Sequence, residues 1–309
     1  MAPIQLQNDT FQLCFDPEKG CTIESLRLKG AEGVWAPVLR EGADGESSFL
    51  MLPWTNRVKD ARFGFGGREY TLVANHPDGT AIHGVGRDLA WGIADRSPYS
   101  ARCVLDSRLH ESVDCPFPFG AVFRVELGAD SVDIELDVTN LGKDPMPCGV
   151  GHHPYFMRTL FDDRDELFVQ AGVAGRYPCE DQIPISACED DEVSTMLREG
   201  GAIGNPNLDD VFGGFDGRAE LAWGASGVRC VMECSDAFGH LVVFTPRDET
   251  ISKTPSLSET PPLPWVCVEP VTMVNDAFNS AEGSERTGLR VLNSGETLRT
   301  SMRLRFEHD

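Results

Sequence analysis

Several common chemistries are missing from this 309-residue chain. None of its ten cysteines forms a C-x-x-C pair, so the usual zinc and dithiol-redox spacings are absent. Cys14, Cys230 and Cys267 sit in apolar alternating runs, where a reduced cysteine behaves as a small hydrophobe. There is no Gly-x-x-x-x-Gly-Lys-Ser/Thr loop for a nucleotide phosphate. Gly84-Val-Gly86-Arg-Asp-Leu89 lacks both the third glycine of a dinucleotide fingerprint and a βαβ setting. No G-x-S-x-G elbow offers a serine nucleophile. Positive charge is scarce, with 27 Lys and Arg against 49 Asp and Glu and a formal net charge of −22. That balance excludes nucleic acid and anionic membrane as expected partners. Lysine is scarcer still, five residues against 22 arginines, a bias with no evident physical reason. No apolar run approaches the roughly 20 residues that span a bilayer. Met1-Ala-Pro-Ile-Gln-Leu-Gln-Asn-Asp9 has no basic-apolar leader, so no signal peptide is expected and a reducing cytoplasm is the expected location.

What is present is strand pattern. Ser131-Val-Asp-Ile-Glu-Leu-Asp-Val138 alternates with the period of a sheet that has one wet face. Ala121–Leu127 precedes it across a Gly128-Ala-Asp-Ser131 turn, and Arg62–Leu72 reads as a hairpin turning on Gly66-Gly67. Further strands are expected at Gln12–Phe15, Cys21–Leu28, Val228–Cys234, His240–Thr245, Trp265–Val268 and Leu298–Phe306. Helical periodicity is scarce. The 20 prolines and 31 glycines are spread along the whole length, as many short strands joined by turns require. Asp162–Glu166 and Glu189–Glu192 read as solvated acidic loops, and Asp248–Pro264 as a long loop. With no linker in view, the expectation is one all-β domain over residues 1–309, a large β-sandwich with few short helices.

Five segments could carry chemistry. Gly151-His152-His153-Pro154-Tyr155-Phe156 puts two of seven histidines beside two aromatic rings. Imidazole titrates near neutrality, and the rings offer a flat wall to a small ligand. On a strand the two imidazoles point to opposite faces, which makes a shared metal ion awkward and leaves one facing any cleft. Asn56-Arg57 supplies a planar donor fork for hydroxyls or a carboxylate, though an arginine on its own more often forms a surface salt bridge. His83-Gly84 is a histidine in a glycine-rich turn, catalytic or simply solvated. Asp209-Asp210 could bind hydroxyls or cap a turn. Glu269, at the end of Pro264-Trp-Val-Cys-Val268 and before Pro270, is the least surface-like acid. Burial beside apolar groups would raise it into the range of a general base.

In this order, Asn56-Arg57, His83-Gly84, His153-Pro-Tyr-Phe156, Asp209-x-x-Phe212 and Glu269-Pro270 resemble the aldose 1-epimerase (galactose mutarotase) family, from Pro53 to Asn279. The resemblance implies a β-supersandwich with an open sugar cleft and no cofactor or metal. It implies interconversion of the α and β anomers of a free aldohexose or a modified relative. Carried over, Glu269 is the base on the anomeric hydroxyl and His153 the acid on the ring oxygen, with His83 in support. Arg57, Asn56, Asp209 and Tyr155 hold the sugar, and the protein is a monomer or homodimer. Three departures stand out: His83-Gly84-Val85 replaces the usual His-Gly-Gly, His152 stands where a small or amide residue is usual, and Glu269–Asn279 is more similar to poorly characterised, epimerase-like branches than to the galactose enzymes. Rival readings are a hexose-phosphate mutarotase, with Arg57, Arg62, Arg87 and Arg158 as candidate phosphate cations, and a non-catalytic sugar sensor. A glycoside hydrolase or lyase would use Asp209 or Asp210 with Glu269 and leave the histidines without a role.

Overall fold

The computed structural model describes residues 2–41, 47–204, 207–247, 262–281 and 283–308. The alternating patterns become two antiparallel sheets. The ten-stranded sheet runs Ile4–Gln7, Phe11–Asp16, Thr22–Lys29, Ser48–Met51, Gly151–Met157, Trp265–Val271, His240–Phe244, Asp209–Gly213 and Gly175–Arg176, with Trp35–Pro37 against Thr22–Lys29. The nine-stranded sheet runs Gly92–Arg96, Ser100–Asp106, Phe119–Leu127, Ser131–Asn140, Thr297–His308, Val228–Cys234, Arg218–Trp223, Leu167–Ala171 and Gly201–Ala202. This is an all-β sandwich, with distant parts of the chain interleaved in both sheets.

Alternation explains the core. In Ser131–Asn140, Val132, Ile134, Leu136 and Val138 are buried, while Glu135 and Asp137 pair with Arg124 and Asp133 pairs with Arg303 on the outer face. Each buried aliphatic side chain contributes about 1.5–3 kcal/mol relative to leaving it in water. Phe11 against Phe306 at 5.4 Å and Phe15 against Phe123 at 5.5 Å join one sheet to the other. Gly66 and Gly67 both have positive φ, as a two-residue hairpin turn between Arg62–Phe65 and Arg68–Thr71 demands.

Three expectations need correction. Glu189–Glu192 is not only a solvated loop: Asp191 accepts from the Ser194 amide and opens the helix Glu192–Glu199, which Gly200 ends in the left-handed conformation. Eight residues are too few to declare a helical period against this β-rich background. Asp209-Asp210 does not cap a turn but begins the strand Asp209–Gly213, because its partner His240–Phe244 extends the ladder to that point. Cys14 lies on the outer side of its strand, with its thiol 3.8 Å from Glu24, rather than in the core beside Cys230 and Cys267. Of the loop read at Asp248–Pro264, residues 248–261 lie outside the described residues. No helix among the described residues is long and apolar enough to cross a membrane.

One loop crossing sets the position of His83. The amides of Val85 and Gly86 both donate to the Leu52 carbonyl, and the His83 amide donates to Asn56. Gly84, with φ +71°, lies where a Cβ would stand 2.0 Å from the Leu52 oxygen. Val85 has φ −126°, which explains why a second glycine is unnecessary after His83. Gly84→Ala is therefore expected to destabilise the protein by about 2–4 kcal/mol, from forced backbone displacement and a strained φ. Gly204→Ala, with open space around it, should change stability by less than about 0.5 kcal/mol. Urea melts measure both, and equal midpoints for the two variants would contradict a close approach at Leu52.

Candidate active site

The site follows from strand register. Gly151 partners Val271 and Tyr155 partners Cys267, so His153 falls opposite Glu269. Phe49 is the partner of His153 on the other side, and Val242 is the partner of Glu269. The next rung on the same face carries Tyr155, Cys267, Phe244 and Asp209. Pairing lapses between Gly151 and Tyr155, where Pro154 and Pro270 remove two amide donors from adjoining strands.

Across this gap His153 Nε2 lies 3.2 Å from Glu269 Oε1. Glu269 is 1% exposed and His153 6%. Burial pushes Glu269 well above the usual carboxylate range; the Asp209 charge adds to the rise and Arg57 opposes it. Burial pushes His153 down to about 3, and the cations Arg87 and Arg40 act in the same direction. The two shifts have one cause: neither charged form is solvated here. Glu269 Oε2 and His153 Nδ1 are buried with no hydrogen-bond partner.

An aromatic shell fixes the imidazole. His153 stacks on Phe49 at 4.4 Å and on Tyr155 at 4.7 Å, and His83 meets it edge-on at 5.2 Å. Trp265 meets Tyr155 edge-on at 4.9 Å. The Arg40 guanidinium lies 4.0 Å from the Tyr155 ring centre, and that of Arg87 lies 4.3 Å from Phe49. At the other end, Asp209 and Phe244 line a cavity of ≈800 Å³ with Arg176, Gln182 and Asp210. Burial raises both acids; Arg57 opposes the rise at Asp209, and Arg176, 3.4 Å away, opposes it at Asp210.

The residues singled out in the sequence thus converge unevenly. His153, Glu269, Tyr155 and Asp209 occupy two adjoining rungs. His83 is no solvated turn residue: its Nδ1 is buried without a partner, and burial, then His153 and Arg87, push it well below its ordinary value. Arg57 is buried and donates to Asp78 at 2.8 Å and to the Asn56 carboxamide oxygen at 3.1 Å. Arg57 thus makes a salt bridge from a buried position, and Asn56 steadies it. Partial burial would raise Asp78, but hydrogen bonds from Arg57 and Thr80 hold its carboxyl well below the usual range. Of the other cations considered for a phosphate, Arg158 donates to the Leu263 and Ile203 carbonyls and Arg62 lies exposed on its hairpin. His152 faces away and packs against Phe238 at 5.8 Å, as strand geometry requires. Sequence reasoning missed Phe49, Arg40, Trp265 and Cys267. The period-two rule places Cys267 and Trp265 on the face of Glu269, so they were within reach; Arg40 carries no such signal.

The family model for aldose 1-epimerase matches residues 3–305. The chain belongs to the aldose 1-epimerase family. Among the relatives of this chain is YphB of Escherichia coli K12, an uncharacterized protein, 27% identical over 286 residues that cover 89% of this chain and 92% of that one. The solved structure of a putative aldose 1-epimerase from Escherichia coli K12 superposes with a TM-score of 0.82 at 24% identity, covering 100% of this chain and 99% of that one. A galactose mutarotase-like protein from Clostridium acetobutylicum gives 0.83 at 18% identity, covering 99% and 95%. These structures share the β-sandwich.

His152 yields a stability prediction independent of catalysis. Burial pushes it down to about 4 in the folded protein. Because the folded value lies below the unfolded one, stability is full above about pH 6.5 and is lost as pH falls toward the folded value. From pH 7 to pH 5 this one group should cost on the order of 2 kcal/mol. Urea melts at the two pH values should show a smaller difference for His152→Gln than for the wild type.

Proposed function

We propose that the protein is a mutarotase that opens and recloses the hemiacetal ring of an aldohexose or modified hexose by acid–base chemistry alone. The contact between His153 and Glu269 carries the reading, because a base and an acid on one rung, beside an aromatic wall and a carboxylate for hydroxyls, match the needs of ring opening. With the pair's single proton moved onto the imidazole, the Glu269 carboxylate takes the proton of the anomeric hydroxyl, and that O–H electron pair becomes the carbonyl bond at C1. The C1–O5 bond breaks, its electrons go to the ring oxygen, and His153 Nε2 gives that oxygen a proton. Rotation about C1–C2 presents the other carbonyl face, and reclosure reverses both transfers. Burial strengthens Glu269 as a base and His153 as an acid, so the low-dielectric site favours transfer in this sense. His83 supports the His153 ring. Arg57, steadied by Asn56, together with Asp209 and Tyr155 holds the remaining hydroxyls.

An acidic or phosphorylated hexose is the second reading, favoured by the guanidiniums of Arg40 and Arg87 over Tyr155 and Phe49. A purely sugar-binding role is less well supported, since binding needs no acid–base pair. Ten thiols without a disulfide fit the proposed reducing cytoplasm.

Glu269→Gln and His153→Asn are each expected to lower anomer exchange by about 10²–10⁴-fold while leaving the circular dichroism spectrum unchanged. Polarimetry or saturation-transfer NMR over free, phosphorylated and acidic sugars measures it, and undiminished exchange in both variants would overturn the assignment. The active pair holds one proton. It gains a second only near the depressed value of His153, about 3, and loses its one proton only above the raised value of Glu269. As the pH is lowered from 7 to 5 the kcat/KM profile should therefore not fall, and a loss of activity on acidification centred on pH 6.5 would contradict this protonation scheme.

A further inference from the structure

The mechanism leaves Cys267 without a task. Its thiol stands two residues before Glu269 on the same face, buried, and partners Tyr155 across the gap in the sheet. One ligand atom each from His153, Cys267 and Glu269 lies within 4.8 Å of the other two. Ligands at about 2.0–2.3 Å around a tetrahedral ion stand roughly 3.5 Å apart, so the 3.2 Å between imidazole and carboxylate is close to what one needs, and the thiol, within 4.8 Å of both, has to move by roughly 1–1.5 Å at most. Oε2 of the buried Glu269 is without a partner. The donors are one nitrogen, one sulfur and one oxygen, a set that selects Zn²⁺ over Mg²⁺ or Ca²⁺.

The geometry points to a three-ligand zinc site made of His153, Cys267 and Glu269, inside the proposed catalytic rung, whose occupation shuts the enzyme off. Zn²⁺ displaces the thiol proton and the proton held between imidazole and carboxylate. It thereby consumes the acid and the base together and leaves its fourth position toward the sugar. Binding depends only on the three ligand atoms; its effect on exchange rests on the function proposed above. His152, on the other face, takes no part. The double histidine is thus not the ligand pair, and the ion is not a cofactor of ring opening but a competitor of the sugar.

The test titrates metal-free full-length protein with Co²⁺, then displaces it with Zn²⁺. One equivalent is expected to give the near-ultraviolet thiolate-to-cobalt charge-transfer band and the strong visible bands of a four-coordinate ion. Cys267→Ser should lose the charge-transfer band. Glu269→Gln, near-isosteric and with the thiol intact, should bind cobalt about tenfold or more weakly, and keeps the test decisive if the serine variant does not fold. In exchange assays Zn²⁺ should compete with sugar, with an inhibition constant raised about tenfold or more in Cys267→Ser relative to that variant's own metal-free rate. Absence of a thiolate–cobalt band in the wild type, or an undiminished band in both variants, overturns the site. A cobalt band with no anomer exchange on any sugar removes the proposed function and leaves the metal site standing.

Discussion

The contact between His153 and Glu269 is the constraint around which the ten-stranded sheet is organised at its centre. At 3.2 Å on a buried rung, two ionisable groups share one proton, because burial disfavours charge on each. The surroundings make this tolerable in steps that can be named. Prolines 154 and 270 interrupt the ladder beside them, Phe49 and Tyr155 hold the imidazole on both sides, and Arg57 tempers the charge on Glu269 and Asp209.

Strand register does most of this positioning. Because side chains alternate, a residue and its partners two places away share a face, so three neighbouring strands bring Phe49, His153 and Glu269 into line although they are far apart in sequence. The loops supply what strands cannot. Asn56 and His83 both take left-handed backbone, joined by the His83 amide to the Asn56 carbonyl, and the glycine beside His83 lets this turn press against Leu52. Rigid strands thus hold the proposed proton-transfer groups, and a strained turn brings Arg57 and His83 over them.

The legibility of the sequence follows the same division. Strands with one wet face, such as Ser131–Asn140, were readable to within two residues, because alternation is imposed by water on one side. Glu269 and His153 were readable as candidates because a carboxylate and an imidazole in very apolar runs violate that pattern. Their being opposite each other was not readable, since pairing between residues 153 and 269 depends on the path of everything between them. Asp209 shows the limit in another way. Its local sequence favours a turn, and only the neighbouring strand at His240–Phe244 converts it into sheet. The helix at Glu192–Glu199 escaped for lack of length, and Arg40 because a cation over aromatic rings leaves no mark on sequence spacing.

Three unpaired buried polar atoms gather where the function is proposed: Nδ1 of His83, Nδ1 of His153 and Oε2 of Glu269. Other buried polar groups are satisfied within the chain, as Thr300 is by the Leu136 carbonyl and Asn140 by those of Leu292 and Asp144, while Trp54, His152 and Asn275 also hold unpaired buried atoms. What sets the three apart is that they gather around one rung. Each unmet buried donor or acceptor costs about 1–3 kcal/mol. A ligand that supplies hydroxyls can recover that energy on binding, whereas an apolar ligand cannot. The same atoms therefore favour a polyhydroxylated guest over an apolar one, which agrees with the sugar proposed for this rung.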